Sequence, residues 1–413
     1  MNFKSIKDFP GALGESATLK SKRVLLRLDL NVPIVLDPVS GSHVVNDDFR
    51  LQAALDTLNF LRDAGARTIV VSHIEGKGGE TLLPVHRVFV EKFGFDMKFV
   101  ADCMSEEASA AAKALEDGEF LLLENLRAYP GEKNNDSEFA RLLASIADIY
   151  VNDAFPVSHR AHASIVGVPK IIPGFAGMRF EKEVAELSTA LNPSHPFLFI
   201  LGGAKFDTKL PLIEKFLKIA DKVFIGGALA NDCFKAKGMQ VGKSVVSDGS
   251  FDLSAIVAEI ANGKVILPTD VVVERDGQRE TVSAGDVQAG DRIWDAGPET
   301  LEMLVKEVAA AKFILWNGPL GNYEIGFTEG TLGLAKIIAA VSGNAGAGDA
   351  GAESASARSI IGGGDTVASI RNLGLENKFS FLSTGGGATL DFLVNETLPG
   401  IEVLKGSPEF SPH

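Results

Sequence analysis

The chain has 413 residues, 46% of them hydrophobic and 23% charged, enough to bury a large core and to build about two domains. Its 40 basic and 54 acidic residues leave a formal charge of −14, which argues against a general role on nucleic acid or on a membrane surface. Cys103 and Cys233 lie far apart without CxxC spacing, so neither a zinc site nor a disulfide framework is indicated, and a reducing compartment is expected. The opening stretch MNFKSIKDFPGAL lacks the apolar run of a secretory signal, and no window approaches the roughly 18 apolar residues of a membrane helix, so the expected location is cytoplasmic.

Strand-like and helix-like segments then alternate. In the first half VLLRLDL, TIVVSH, DMKFVAD, FLLLENL and DIYVND are separated by helical stretches such as DDFRLQAALDTLNFLRDAGA and NDSEFARLLASIA. In the second half FLFILGG, KVFIGGA, KVILPTD, KFILWNG, SIIGGG and FSFLSTG repeat the arrangement. This is βαβ grammar and predicts an α/β fold with a parallel sheet in each half. Between the halves, RFEKEVAELSTAL over 179–191 puts Phe180, Val184 and Leu187 on one helical face, and NPSHP stops it. The domain boundary is placed there. Ligands of open α/β sheets bind beyond the carboxyl ends of strands, where nearly every polar or glycine cluster of this chain falls.

Arg27, Asp29, Asn31, Arg50, His73, Arg127, His159, Arg160 and His162 stand at or shortly beyond strand ends in the first half. Singly, such residues are most often solvated surface. Together they suit a small polyanion, because arginine offers a planar fork to carboxylate or phosphate and histidine adds donors. Asp29 and Asn31 are placed to hold its hydroxyl.

Three glycine clusters mark the second half: FLFILGGAK at 197–205, SIIGGGDT at 359–366 and FSFLSTGGGAT at 379–389. Each reads as a buried strand running into a turn and then a helix start, whose unpaired N–H groups attract phosphate. With Lys205 in one cluster and Asp365 in another, the pattern predicts nucleotide phosphates, a metal and phosphoryl transfer. Two other matches are discounted. The GxGxxG at Gly346, Gly348 and Gly351 follows a helix rather than a strand and sits in a low-complexity stretch, 343–357, read as a flexible loop. GMQVGKS at 238–244 is one residue short of a P-loop. Trp294 and Trp316 read as packing residues at domain-core edges, His43, His86 and His195 as surface or loop residues without partners in sequence, and Cys233 as a buried small residue.

RLDLNVP, SHIEGKGG, LLLENLR, VNDAFPVSHRAHAS, ILGGAKFDTKLPLI, ILPTDVVV, DAGPET, LWNGPLGNYE, GGGDT, STGGGAT and LPGIEVL resemble, in order, the signatures of the phosphoglycerate kinases. The resemblance implies two doubly wound, Rossmann-like domains joined by a hinge helix. Residues 1–180, completed by the tail near 400–413, would bind 3-phosphoglycerate or 1,3-bisphosphoglycerate; residues 181–192 would be the interdomain helix, and residues 193–399 would bind Mg²⁺ with ATP or ADP. It implies reversible transfer of a phosphoryl group between the acyl phosphate and ADP, the glycolytic reaction, by a monomer with small-molecule substrates alone, no nucleic acid and no membrane. Asp29, Asn31, Arg50, His73, Arg127 and Arg160 become the acid-binding set. Arg50 and Lys205, with the helix starts at Gly363 and Gly386, would stabilise the moving phosphoryl. The nucleotide set is Lys205, Lys209, Gly226, Gly227, Asn317, Glu324, Gly362, Gly363, Gly364, Asp365 and Thr366, with Asp365 the magnesium partner and Glu324 near the ribose. The chemistry agrees, since a loose in-line transition state needs charge stabilisation, and a carboxylate nucleophile needs no base.

The chain departs from the family pattern in three places. The usual SHLGRP is SHIEGKGG, so an expected arginine is Gly76 with Lys77 beside it; weaker acid binding is expected before loss of turnover. A usual triple glycine is Gly226-Gly227-Ala228, and Pro156 is expected to stiffen the loop carrying Arg160. The competing expectation is a non-catalytic nucleotide-binding protein on the same scaffold, whose altered 73–79 loop no longer binds the acid.

Overall fold

A computed structural model of the chain describes residues 3–9, 18–76, 81–204, 206–249, 251–342 and 356–409. It divides into two compact units, residues 1–185 with 395–413, and residues 186–394.

The strands of the first unit are β1 (Arg23–Leu28), β2 (Ile34–Leu36), β3 (His43–Val45), β4 (Arg67–Val71), β5 (Met97–Val100), β6 (Phe120–Leu123), β7 (Ile149–Asp153) and β8 (Gly174–Ala176). Six of them form one parallel sheet in the order β5-β6-β4-β1-β7-β8. Its central strands read as continuous apolar runs because helices cover both faces: Val24, Leu25, Leu26, Val70, Leu121, Leu122 and Val151 are wholly buried. Arg27 interrupts β1 and is itself 0% exposed, so the fold must supply polar partners for it. β2 and β3 form a separate antiparallel hairpin. Helix Met178–Ser188 and the 3₁₀ turn Thr189–Leu191 cover the stretch predicted as one helix, with Phe180, Val184 and Leu187 buried. Near its end the chain returns to this unit. Helix Pro399–Lys405 is anchored by the Gly400 amide on the Ser158 carbonyl at 2.9 Å, and Val403 packs on Ala154, Val157, Ile165 and Val166.

The second unit contains β9 (Phe197–Leu201), β10 (Lys222–Ile225), β11 (Val265–Ile266), β12 (Asp270–Arg275), β13 (Gln278–Ser283), β14 (Arg292–Ala296), β15 (Phe313–Asn317), β16 (Arg358–Gly362) and β17 (Phe381–Leu382). Its parallel sheet runs β11-β10-β9-β15-β16-β17. β12, β13 and β14 add a three-stranded antiparallel sheet that the alternation of segments did not anticipate. Of the predicted loop at 343–357, residues 343–355 lie outside the described residues; Ser342 and Ala357 pair across its base. Among the described residues, no helix is long and apolar enough to cross a membrane.

Candidate active site

In the first unit the four central strands deliver their charged ends to one edge of the sheet. Asp29 and Asn31 follow β1, His73 follows β4, Arg127 follows β6, and Arg160 follows β7. Arg50, in helix Phe49–Ala53, reaches back: its Nη1 lies 3.0 Å from Asp29 Oδ2 and donates to the Asn31 carbonyl at 2.9 Å. Asn31 Oδ1 accepts the Glu75 amide at 2.9 Å. The Arg127 side chain is 6% exposed, and its Nε and Nη2 are buried with no hydrogen-bond partner among the described residues. Only its Nη1 meets a charge, Glu75 Oε1 at 3.3 Å. Arg160 is exposed, with Nε 3.3 Å from His159 Nε2. Gly76, also exposed, has φ +109°, and Lys77 lies outside the described residues.

A second layer holds this edge in place, and Arg27, expected from its sequence position among the anion-binding residues, belongs to that layer because it is wholly buried. Arg27 stands behind the site: it donates through Nε to Ser164 Oγ at 2.9 Å, and its Nη2 is 3.2 Å from His73 Nδ1. Ser164 passes the contact on to the wholly buried Glu132, Oγ to Oε1 at 2.6 Å and N to Oε2 at 2.9 Å. Burial and then the charges of Arg27, Arg127, Arg160 and Arg50 push His73 far below the usual histidine range. The ring is therefore neutral, and it serves as a fixed hydrogen-bonding group. His162 is lowered to about 4 by burial first and by the neighbouring arginines. Asn125 Oδ1 accepts both the Ile74 amide at 3.2 Å and the Arg127 amide at 3.0 Å, so one side chain braces two loops of the site. Because Glu132 is the carboxylate nearest the buried Arg27, Glu132→Ala is expected to cost about 3 to 5 kcal/mol and lower the melting temperature by about 10 °C. Urea unfolding of the variant tests this, and a loss under about 1 kcal/mol would mean that Arg27 needs no counter-charge.

In the second unit the glycine turns surround a cavity of about 650 Å³. Gly202, just past β9, passes so close to the next loop that a Cβ would lie 2.2 Å from the Pro319 carbonyl oxygen. Gly363, at φ +96°, turns β16 into helix Gly364–Asn372. The first intrahelical bond is Val367 to Gly363, so the amides of Gly364, Asp365 and Thr366 are free of helical partners. Of the nucleotide residues chosen from sequence, Lys209, Gly227, Asn317, Glu324, Gly363, Gly364 and Asp365 line this cavity, and so does Gly386. Gly226, Gly362 and Thr366 do not: Thr366 is wholly buried within the helix, and Gly362 is the last residue of β16. Lys205 lies outside the described residues, between the cavity-lining Ala204 and helix Phe206–Ile219.

Several polar groups wait in this cavity. The Asn317 side chain is buried, and its amide nitrogen has no partner among the described residues. Asp365 is exposed at the helix start, and among the described residues its carboxylate makes no hydrogen bond or ion pair. Of the two tryptophans expected to be packing residues, Trp316 is one and Trp294 instead lines the cavity. Trp294 stands on the cavity wall, its Nε1 donating to Glu274 at 3.1 Å, whereas Trp316 is wholly buried and donates to the Gly318 carbonyl at 2.8 Å, fixing the loop after β15. His86 and His195 do find partners, the Met97 carbonyl at 2.8 Å and Asp221 at 2.6 Å. Asp295, also on the wall, is raised to about 7 by burial, against the amides of Gly330 and Ala296 that lower it.

Residues 15–396 match the family model of phosphoglycerate kinase. The chain belongs to the phosphoglycerate kinase family. Similar proteins include the phosphoglycerate kinase of Dictyoglomus turgidum, 41% identical over 400 residues that span 94% of this chain and 96% of the relative. The cytosolic phosphoglycerate kinase of Triticum aestivum is 39% identical over 408 residues, 95% of this chain and 98% of the relative. The structure of phosphoglycerate kinase from Coxiella burnetii superposes with a TM-score of 0.77 at 33% identity, covering 98% of this chain and 99% of that one. The enzyme from Pyrococcus horikoshii OT3 gives the same TM-score at 29% identity, with 95% and 98% coverage.

Lys209 gives this kinase a titrating group on the cavity wall. Its ammonium group is buried, donating to the Gly202 carbonyl, and burial lowers it from 10.5 to about 8. The folded state therefore holds fewer protons than the unfolded state between the two values, so this group's unfavourable contribution to stability is full below pH 8 and is relieved as pH rises toward 10.5. Binding of a polyanion runs the other way, because it needs the proton. ADP affinity is expected to fall about tenfold between pH 7 and pH 9. Calorimetric titration across that range, repeated on Lys209→Met, tests the assignment; an equally steep fall in the variant would remove Lys209 as its origin.

Proposed function

We propose that the chain performs the reaction of its family through the two half-sites described above. A phosphoryl group moves reversibly between 1,3-bisphosphoglycerate and ADP, giving 3-phosphoglycerate and ATP, the glycolytic step. The observation that carries the assignment is Arg127, a buried guanidinium with two unused N–H groups among converging strand ends. A buried guanidinium with only one corner engaged leaves costly unsatisfied donors, so such a group is set to receive an anion. Asp29 and Asn31, fixed by Arg50, are suited to the hydroxyl of the acid; His73, Arg127 and Arg160 are suited to its charged ends.

On the nucleotide side, Lys209 and the free amides after Gly363 face phosphates, the Asn317 amide supplies a further donor, and Glu324 stands at the rim toward a ribose. On the nucleotide side the helix starts at Gly363 and Gly386, with Lys205 by family resemblance, and on the acid side Arg50, are each suited to supply positive potential to a transferring phosphoryl group. No side chain is needed to take a proton, because the attacking group is a carboxylate. Asp365 is suited to Mg²⁺: it is exposed on the cavity wall, and no group of three or more potential metal-binding side chains exists among the described residues. A magnesium ion typically takes one or two carboxylates, with the phosphates and water completing its shell. When bound, it would neutralise phosphate charge. A cytoplasmic monomer acting on small molecules belongs to the same proposal.

The test is steady-state ADP formation from Mg·ATP as 3-phosphoglycerate is varied, coupled to removal of the acyl phosphate. Saturable turnover is expected. Nucleotide binding without acid-dependent turnover would instead make the chain a binder on this scaffold.

A further inference from the structure

Glu75 stands in the segment where this chain departs from its family, two residues after His73. Its Oε1 lies 3.3 Å from Arg127 Nη1 and 3.7 Å from Lys133 Nζ. The two partners of the main contact differ in one respect. Arg127 is almost wholly buried, whereas the Glu75 side chain is 44% exposed and approaches from the solvent side. It serves one corner of the guanidinium and leaves Nε and Nη2 unused. Its own tether is its backbone amide on Asn31 Oδ1, a bond that does not involve the carboxylate. The carboxylate can therefore swing away without unpacking anything.

We propose that Glu75 sets the affinity of the acid site by standing in for the substrate's anion on Arg127 until 3-phosphoglycerate displaces it. The inference rests on the reading of this cluster as the acid site. An incoming phosphate or carboxylate cannot share the fork with a second carboxylate at contact distance, since two like charges about 4 Å apart repel by several kcal/mol even at an effective dielectric of about 20. Binding thus requires Glu75 to leave, and its attraction to Arg127 and Lys133 is subtracted from substrate affinity. Burial pulls the Arg127 guanidinium downward and Glu75 opposes that pull, as expected of a temporary counter-charge. A purely structural clamp makes the opposite prediction, because removing a residue that orients Arg127 would weaken acid binding.

The sign of one substitution separates these readings. Full-length wild type, Glu75→Gln and Arg127→Met are compared by KM for 3-phosphoglycerate at saturating Mg·ATP, by calorimetric titration of 3-phosphoglycerate without nucleotide, and by competitive inhibition with inorganic phosphate. Glu75→Gln is expected to lower KM, Kd and the phosphate inhibition constant each by about tenfold, the scale of a partly exposed charge contact, with a smaller change in kcat. Unchanged or raised values overturn the proposal. If wild type binds the acid, Arg127→Met abolishes binding and Glu75→Gln behaves as wild type, this inference fails while the acid site stands. If neither wild type nor Glu75→Gln yields acid heat, the reading of the site fails with it.

Discussion

Arg127→Met should raise the KM for 3-phosphoglycerate by about two to four orders of magnitude. The estimate follows from two charge-assisted N–H groups that are buried and unused in the free protein, each worth about 1.5 to 3 kcal/mol when an anion takes them. Arg160 is exposed and borders His159, Arg50 is committed to Asp29 and Asn31, and Arg27 lies behind His73. Arg127→Lys should recover only part of the loss, since an ammonium on a flexible stem cannot present the fork. ADP affinity should stay within about twofold, because the cavity is lined by residues 203–390 alone. Steady-state kinetics with varied acid, paired with ADP titration, decides the matter; a KM change under about fivefold would show that Arg127 does not carry the anion.

The second large effect concerns turnover rather than binding. Lys205→Ala should lower kcat by about a thousandfold and leave ADP affinity within several-fold, the signature of an interaction made chiefly in the transition state. Lys205 follows the cavity-lining Ala204 in sequence, and the family resemblance implies that it acts on the moving phosphoryl group. Lys209→Met should show the reverse balance, with nucleotide affinity falling more than kcat. Single-turnover rates at saturating nucleotide separate the two lysines. A Lys205 variant that loses affinity and keeps its kcat would exchange their roles.

Much of this site was legible because parallel sheets convert sequence into position. Runs such as VLLRL and FLFIL suit strands buried on both faces, as the strands of a parallel sheet are, and the residue after each run then emerges at the same edge as its neighbours. Residues from Asp29 to Arg160 meet for that reason. The antiparallel sheet was not read because β13, QRETVS, is polar and mostly exposed and shows no apolar alternation. A signal existed: Asp276 and Gly277, both at positive φ, form the tight turn between β12 and β13, and an Asp-Gly pair is a strong hairpin mark. Glu132 could not have been found. In PGEKNND it looks like solvated charge, and only the approach of Ser164 and Arg27, far away in sequence, makes it a buried counter-ion. Glu75 was hidden differently, since a missing arginine drew attention to Gly76 and Lys77 and away from the carboxylate before them.

The return of the chain to its first unit bears on how it is made. Residues 186–394 must be synthesised before helix Pro399–Lys405 can settle beside Ser158. At about 5 to 20 residues per second, that interval lasts roughly 10 to 40 s. Throughout it, the seat of Val403 formed by Ala154, Val157, Ile165 and Val166 stands uncovered in a nascent chain whose β1 to β8 have already emerged. The second unit, continuous in sequence, can complete its own core as soon as Val394 clears the ribosome. The half that emerges first is thus the half that finishes last, and during translation its exposed apolar seat is where a chaperone would find its longest opportunity.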